Sequence, residues 1–541
     1  MSVKSFLKYI WDVYKIPDPS TFKTEYIDST IDRERKPVND SKGWQKNSFL
    51  QSFNLYPAHY SAYERKFLLK FDISVFLFLG ASFYTKYLDN TNIAAAYVSG
   101  MSDDLNLKGD ELNLFNTYYT ISYAILQIPL TLLITRPQFS RYLLLGCEFI
   151  WGMLTFANAF VQDAQQVYAI RFFIGVTEAC SFPATYVIFS SFLTDDELFT
   201  RAGIYGAFAT AGSASSGVLQ SWAYKNLRGV GGLAGWRWQF IVDSILTVIV
   251  VIYGFFLFPG TPSSCRKFGL FTEDDMIFAR KRLDKKVAIP QKFTKRFLKE
   301  TFTTWQFYVC ALMWTFHHSS FYTNGDKLYM KASGLYSVTQ VTDWDTYTYL
   351  LGIPSTILIC PLTQWFGKLP VVGVVFVTAF YAATVLVIWN LPNSVIMSAF
   401  FLQHVMIDGL SQLFYGWSAT LCKDNVEKKA LVLGFMQSLS YATNAWVIPL
   451  EYNMKYSPRF KAGYIANVFI IGGTLFFFLL CWVLSHYDQK LIPKWAGYRH
   501  LDNDGNMKYL DDEEENLEDI SSDLDESIIQ ETVSIGSRGK K

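Results

Sequence analysis

The sequence has few of the residues, and none of the motifs, on which most soluble enzymes depend. It contains only 6 histidines and 7 cysteines among 541 residues, and no two cysteines form a CxxC pair. We therefore expect no metal site and no disulfide framework. The GxxxxGK[ST] sequence that cradles nucleotide phosphates is missing, as are the HExxH motif and the nucleophile elbow. These absences predict a protein that is not an enzyme, binds no cofactor and is not driven by ATP.

Charge is also scarce. Asp, Glu, Lys and Arg make up 18% of the residues, and the formal net charge is +1, so we expect no nucleic-acid partner. By contrast, 51% of the residues are hydrophobic, 17% are aromatic and the mean hydropathy is +0.15. This composition is typical of a membrane protein with several spans and polar tails.

Apolar runs long enough to cross about 30 Å of hydrocarbon recur along the chain. We predict twelve membrane-spanning helices in two groups of six: residues 70–90, 113–134, 142–161, 167–193, 202–223 and 237–258, then 303–323, 346–366, 369–390, 395–421, 430–450 and 463–485. The predicted fold is therefore an all-α membrane protein built of two six-helix bundles. Its expected divisions are an N-terminal tail (1–67), a first bundle (68–258), a central loop (259–301), a second bundle (302–485) and an acidic C-terminal tail (486–541).

Lysine and arginine in the loops predict the orientation, because cytoplasmic loops are enriched in them. The central loop holds 11 basic and 5 acidic residues, so we place this loop and both termini in the cytoplasm. Two groups of basic residues fall on the predicted outer side and oppose this orientation: Lys225, Arg228 and Arg237, and Lys455, Arg459 and Lys461. The imbalance of the central loop is larger. Within that loop, Thr272 has the position of an N-cap residue and predicts a surface helix after it.

Two charged residues lie inside the fourth predicted span, where charge is costly. Arg171 and Glu178 are seven residues apart, nearly two helical turns, so both side chains lie on one face. Ionisable groups within a span normally face a cavity or a partner. We predict that Arg171 binds a substrate anion and that Glu178 carries a proton. The alternative for Arg171 is a position at the level of the lipid headgroups.

Three polar residues near the end of the first span also share one helix face. Lys86, Asp89 and Asn90 have i, i+3 and i+4 spacing, and we expect them to face the fourth span. Lysine and arginine suit a carboxylate substrate, and a carboxylate in a low-dielectric cavity can take up a proton near neutral pH. We therefore assign Lys86 and Asn90 to substrate binding and Asp89 to proton coupling. The alternative is that Lys86 and Asp89 pair with each other near the interface.

The second half has polar positions of its own. His404 and Asp408 are i and i+4 in the tenth span, the topological counterpart of the fourth. We predict substrate binding for His404 and proton coupling for Asp408, since such a pair can relay protons. His317 and His318 lie in the seventh span, and for these we favour a structural role in which each makes a buried hydrogen bond.

Small residues mark the fifth span. Four glycines lie among alanines and serines and favour close approach of neighbouring helices: Gly203, Gly206, Gly212 and Gly217.

Several stretches resemble one family of transporters. Twelve spans with a central loop are typical of the major facilitator superfamily. Residues 87–92 (YLDNTN) and 171–179 (RFFIGVTEA) are similar to the first-helix and fourth-helix patterns of its anion:cation symporter family. Further stretches resemble the fungal allantoate and vitamin permease branch, closest to pantothenate, biotin and Seo-type permeases: residues 96–101, 232–238, 444–446 and 457–460. The resemblance covers about residues 68–485.

This resemblance implies a proton symporter for small organic anions that works by alternating access. It also implies that Asp89 and Glu178 couple transport to protons. The family pattern has arginine directly after the aspartate, where this chain has Asn90. We expect Lys86, one turn earlier on the same face, to supply the missing charge together with Arg171.

The predicted function is proton-coupled uptake of a small organic anion, a carboxylate vitamin such as pantothenate or biotin, by a monomer in a fungal plasma membrane. The expected partners are the anion, protons and the lipid bilayer. One alternative is a permease for allantoate, nicotinate or another carboxylate. An alternative of another class is a nutrient sensor that does not transport and signals through its tails. Efflux of drugs or peptides fits less well, because cations face the predicted cavity.

Overall fold

The computed structural model describes most of the chain between residues 55 and 509. The described residues are 55–57, 60–107, 111–136, 139–265, 267–283, 295–321, 325–336, 338–422, 426–452, 456–491, 499–501 and 507–509. The predicted N-terminal tail up to residue 54, the middle of the central loop and the acidic run after residue 509 lie outside these ranges.

Helices account for nearly all of the described regular structure. They are α1 (Ala62–Ala96), α2 (Glu111–Ile134), α3 (Ser140–Asn158), α4 (Ala164–Phe192), α5 (Asp195–Asn226), α6 (Gly235–Leu257), α7 (Glu273–Leu283), α8 (Lys295–Thr303), α9 (Trp305–His318), α10 (Gly325–Ser333), α11 (Val338–Phe366), α12 (Lys368–Ile388), α13 (Asn393–Leu421), α14 (Val426–Glu451) and α15 (Lys461–Leu491). Each of the twelve predicted spans coincides with one of them, namely α1 to α6, α9 and α11 to α15.

Eight of the described helices are long and apolar enough to cross a membrane: α1, α2, α4, α6, α11, α12, α13 and α15. Of the other four that coincide with predicted spans, α9 has only 14 residues. The remaining three, α3, α5 and α14, carry charged residues or many small polar ones. The all-helical membrane fold is therefore confirmed, and the count of twelve spans stays a prediction.

The chain divides into two compact units, which we describe separately. The first comprises residues 1–291 and 310–477 and contains α1 to α7, α10 to α14, most of α9 and the first part of α15. All the residues of the candidate site belong to this unit.

The second unit comprises residues 292–309 and 478–541. It contains α8, where Phe302 packs edge-on against Phe307 with ring centroids 4.8 Å apart. It also contains the end of α15, which extends to Leu491, beyond the predicted limit of the last span. Two short strands follow, β1 (Arg499–Leu501) and β2 (Met507–Tyr509), and they pair antiparallel. The predicted tail from residue 486 thus contains regular structure that the sequence pattern did not indicate.

Helix α5 makes close backbone contacts with helices of both halves of the sequence. A Cβ added at Gly212 would lie 2.3 Å from the backbone oxygen of Tyr84 on α1, and one at Gly203 would lie 2.6 Å from that of Thr356 on α11. No larger residue fits at either position without a shift of the backbone. The predicted role of the small residues in close helix approach is therefore confirmed at these two sites.

A buried ion pair also ties α1 to α5. Arg201 on α5 is 1% exposed and donates to both carboxylate oxygens of Asp72 on α1, at 2.5 and 2.7 Å. Asp72 opens a single π-helical turn in α1, Asp72–Phe76. Two parallel hydrogen bonds of this kind fix both the separation and the rotation of the two helices.

The central loop contributes a helix that packs on the first half of the chain. Helix α7 begins after Thr272, whose hydroxyl accepts a hydrogen bond from the backbone N–H of Asp275 at 3.3 Å, so the predicted cap is confirmed. Asp275 in turn accepts from Lys70 of α1 at 2.5 Å. Arg282, near the end of α7, pairs with Glu197 of α5. The helix is thus bound at both ends to α1 and α5.

We predict that Asp72→Ala destabilises the protein strongly, because it leaves the Arg201 guanidinium buried without its carboxylate. Removing one partner of a buried pair costs about 3–5 kcal/mol. The purified protein in detergent should show a lower thermal midpoint by intrinsic fluorescence, whereas Arg65→Ala, at an exposed position of the same helix, should leave it unchanged. Equal midpoints for the two variants would refute this role of the pair.

Candidate functional site

The structure brings together the two polar clusters that the sequence places on α1 and α4. The amide nitrogen of Asn90 donates to Glu178 Oε2 at 3.1 Å, and the guanidinium of Arg171 donates to the Asn90 side-chain oxygen at 3.4 Å. Asn90 therefore lies between the cation and the carboxylate of α4 and is bonded to both.

Helix α4 is interrupted next to this cluster. Its two segments, Ala164–Glu178 and Ser181–Phe192, are separated by a turn. Pro183 lies just after the turn and cannot donate a backbone hydrogen bond, which accounts for the interruption. Across this turn the Ser181 hydroxyl donates to the backbone oxygen of Glu178 at 2.9 Å, and both groups are within reach of a side chain of a neighbouring helix.

Lys86 of α1 donates hydrogen bonds to both of these groups. Its ammonium donates to Ser181 Oγ at 2.8 Å, to the Tyr123 hydroxyl at 2.9 Å and to the Glu178 backbone oxygen at 3.4 Å. The side chain is only 3% exposed. The alternative in which Lys86 pairs with Asp89 is wrong for this structure, because the lysine reaches towards α2 and α4 instead.

Only one oxygen of the Glu178 carboxylate is hydrogen-bonded to described residues. Its Oε2 accepts from the Tyr119 hydroxyl at 2.7 Å as well as from Asn90, while Oε1 has no hydrogen-bond partner among the described residues. Arg171 lies over the ring of Tyr119, 4.8 Å from its centroid, and is 1% exposed. It is therefore enclosed by the helices, while its depth in the membrane stays a prediction.

Asp89 lies beside this cluster and is less well bonded. It is 1% exposed, and neither carboxylate oxygen makes a hydrogen bond of normal geometry with a described residue. Arg171 and the Thr155 hydroxyl of α3 lie close enough to act on its charge. A buried acid with so few partners is unusual, because burying an unpaired polar group costs free energy.

The predicted residues of the second half form a separate pair. His404 Nδ1 lies 3.4 Å from Asp408 Oδ2 on α13. Asp408 packs against Gly352 of α11 and acts electrostatically on Tyr87 of α1, so it faces the first half of the chain. The structure gives no direct contact from His404 or Asp408 to Lys86.

His317 and His318 have the bonded environments expected of structural histidines. His317 Nε2 lies 3.0 Å from Ser411 Oγ, and His318 Nδ1 lies 2.9 Å from the Asn444 side-chain nitrogen. His318 also packs against Tyr441 with the rings tilted and their centroids 5.1 Å apart. Tyr441 in turn packs on Tyr123, at 4.5 Å, and thus links the second half to the tyrosine that Lys86 contacts.

Aromatic rings form a second set of contacts between the two halves. Phe83 of α1 stacks on Tyr205 of α5 and on Phe182 of α4, with centroids 4.3 and 5.4 Å apart. Phe182 contacts Tyr415 of α13 at 4.4 Å, which contacts Trp314 of α9 at 4.9 Å. This aromatic layer connects the two halves next to Phe83, about one turn before Lys86 on α1.

Two buried acids of the first half escaped sequence reasoning. Asp243 on α6 is fully buried and Glu148 on α3 is 2% exposed. Each is an acid within an apolar predicted span, the same signal that identified Glu178, and a systematic search for it would have found both. Asp243 accepts from the side chain of Asn92 at 2.8 Å, so it belongs to a network that reaches α1 three residues beyond Asp89.

A separate cavity of about 610 Å³ lies where α1 and α5 end and α6 begins. Lys225, Arg228 and Trp236 are among its lining residues, and it contains none of the predicted site residues. Because the convergent buried charges lie elsewhere, we assign the candidate site to the cluster of Lys86, Asp89, Asn90, Arg171 and Glu178.

The sequence has clear relatives. Residues 77–447 match the family model of the Major Facilitator Superfamily. A pantothenate transporter of Schizosaccharomyces pombe is 31% identical over 76% of this chain and 80% of its own length. A pantothenate transporter of Saccharomyces cerevisiae is 30% identical over 74% and 80%, and a vitamin H transporter of the same yeast is 28% identical over 88% and 81%. The resemblance to pantothenate and biotin permeases is therefore confirmed.

Solved structures support the same fold. The proton:xylose symporter XylE superposes with a TM-score of 0.57 and covers 76% of this chain and 95% of its own. The human organic anion transporter MFSD10 superposes with a TM-score of 0.53 over 76% and 99%. Both are 13% identical in sequence, so they speak for the fold alone. The chain belongs to the Major Facilitator Superfamily and is a multi-pass membrane transporter of small molecules, not an enzyme.

Proposed function

We propose that the protein takes up a small carboxylate, a vitamin such as pantothenate or biotin, together with a proton. The relatives named for pantothenate and vitamin H support the substrate class. The chemistry of the site supports the same class, since it combines two buried cations with two buried carboxylates.

The observation that carries the proposal is the bonding of Lys86. All three hydrogen bonds of its ammonium go to neutral oxygens, those of two hydroxyls and one backbone carbonyl. A buried ammonium without a bonded carboxylate is costly. A substrate carboxylate would supply the missing partner, with Arg171, which is bonded to Asn90, as the second cation of the site.

The charges of the site explain how a proton and an anion are taken up together. With Lys86 and Arg171 protonated and with Asp89 and Glu178 ionised, the four charges cancel. A proton on either carboxyl leaves one positive charge, and a monocarboxylate then restores neutrality. Because an uncompensated charge is unfavourable in the low-dielectric interior, each ligand favours the binding of the other.

The second half completes the site in this proposal. Asp408 faces the first half, and His404 lies beside it. We assign His404 to contacts with the polar end of the substrate away from its carboxylate, and Asp408 to passage of the proton. Movement of the two halves about the aromatic layer would then expose the site to the opposite side of the membrane.

The remaining topology is part of the same proposal. Twelve spans in two bundles, divided at residues 259–301, would place both termini and α7 in the cytoplasm of a cell whose plasma membrane holds the transporter as a monomer. The basic central loop supports this orientation.

Collapse of the proton gradient tests the coupling. Cells that depend on external pantothenate or biotin and express this chain should accumulate the radiolabelled vitamin and lose that accumulation when a protonophore is added. The same cells without the chain give the background. Accumulation that persists in full after the gradient has collapsed would rule out proton symport.

Glu178→Gln is expected to abolish gradient-driven accumulation and to spare counterflow exchange, because the amide keeps the shape of the side chain but cannot release a proton. Both quantities are measurable with the purified protein in liposomes. Asp163→Asn, an exposed acid before α4, should change neither. Loss of both activities in Glu178→Gln would indicate a structural role for the glutamate.

Lys86→Gln should raise KM for the carboxylate substrate. Hydrogen bonds to charged groups contribute about 1.5–3 kcal/mol, which corresponds to a rise of about tenfold or more. Uptake measured at several substrate concentrations gives the value, and Lys225→Gln, in the separate cavity, should leave it unchanged. A raised KM in Lys225→Gln with an unchanged one in Lys86→Gln would move the anion site to that cavity.

A further inference from the structure

A polar network lies inside the first half, behind the candidate site. Asn92 of α1 donates to Asp243 Oδ2 at 2.8 Å. The side-chain oxygen of Asn92 accepts from Ser216 of α5 at 2.7 Å and also from Gln239 of α6. All four side chains are at most 2% exposed. The network therefore joins three helices and holds the Asp243 carboxyl in one orientation.

Asp243 itself has no cationic partner in this network. Its Oδ1 makes no hydrogen bond with a described residue. The charges that act on it are those of Asp89 and, more weakly, Glu178, both acidic. Burial of an ionised carboxylate without a cation costs several kcal/mol, so such groups take up a proton instead.

The helices packed against α6 contribute few other titratable groups near this point. Helix α1 presents Asp89, and α5 presents the neutral Ser216. Helix α3 carries Glu148, which is next to Ser82 and Cys147 and outside the Asn92 network. Asp243 is thus a deeply buried acid, and Asp89 is the charged group that acts on it most strongly.

We propose that Asp243 is a second proton-binding site of the transporter, which exchanges a proton with Asp89. This inference rests on the proposed proton-coupled function and extends it. A proton that enters on an Asp89 oxygen passes to Asp243 Oδ1, and Asp89 returns to the ionised form beside Arg171. One proton moves, no charge is created, and the neutral Asp243 is the loaded state, in which Oδ2 still accepts the hydrogen bond of Asn92.

The shell around Asp243 favours a proton over a metal cation. Asn92 presents an N–H group, not an oxygen, to the carboxyl, and a donor at this position would repel a bound cation. A protonated carboxyl can accept that hydrogen bond on Oδ2 and keep its own proton on Oδ1. Sodium is therefore the alternative ligand, and the test has to distinguish it from a proton.

Asp243→Asn tests the proposal, because the amide resembles the protonated acid and cannot release a proton. In liposomes with a pH difference of about one unit, one coupled proton supports about tenfold accumulation. We expect the variant to fall to a ratio near one and to keep counterflow exchange. Glu148→Gln, which also removes a buried acid from the first half, should accumulate like the unaltered protein.

Three outcomes would overturn the proposal. Accumulation by Asp243→Asn equal to that of the unaltered protein would make Asp243 a permanently neutral hydrogen-bonding group. An equal loss in Glu148→Gln would make the effect general to buried acids. Accumulation that requires sodium, when sodium is exchanged for N-methylglucamine, would assign the site to a cation.

A second variant covers the case in which the amide disturbs folding. In Asp243→Ser the new side chain is smaller than aspartate and uncharged. Accumulation is then compared in whichever of the two variants retains counterflow exchange. Loss of counterflow in both would assign Asp243 a structural role and refute the proposal. If the unaltered protein itself shows no proton coupling, the proposed function fails first, so the two failures are distinguishable.

Discussion

The buried charged side chains of the first half have few hydrogen-bonding or ionic partners, and the rest of the structure depends on this constraint. Lys86, Arg171, Asp89, Glu178 and Asp243 are all at most 3% exposed, yet none of them forms a close salt bridge with another among the described residues. Arg201 and Asp72 of the same unit, by contrast, are paired directly. Charges left in this condition are unfavourable unless a ligand or a proton compensates them, which is why we interpret this region as the site.

The packing around the site also helps to compensate its buried charges. The turn in α4 directs a backbone oxygen and a serine hydroxyl towards Lys86, and these offset part of the cost of burying the ammonium. The close approach of α5 to α1 and α11 keeps the helices near enough for such contacts. The aromatic layer connects the halves near Phe83, and the contact of Tyr123 with Tyr441 brings the second half next to a tyrosine that Lys86 binds.

Much of the candidate site was predictable from the sequence, and what was not predicted depends on how the helices pack. Arg171 and Glu178 were found because a charge in an apolar run is visible in the sequence, and Asp243 and Glu148 carry the same signal. What sets Asp243 apart is its link to Asn92, and that link depends on how α1 and α6 are rotated about their axes. No spacing along the chain reports such a rotation, because the two residues are 151 positions apart.

The amino-acid sequence alone established the membrane setting, the positions of the helices and the family, because long apolar runs and short motifs are local properties. It also showed Asn90 at the position where the first-helix pattern that the chain resembles has arginine. The consequence of that exchange depended on the packing of the helices in three dimensions. This packing placed Asn90 between Arg171 and Glu178 and directed Lys86 towards the turn in α4, away from Asp89. The partners of a buried side chain come from helices distant in sequence, so each buried charge binds the polar atoms that their packing brings within reach.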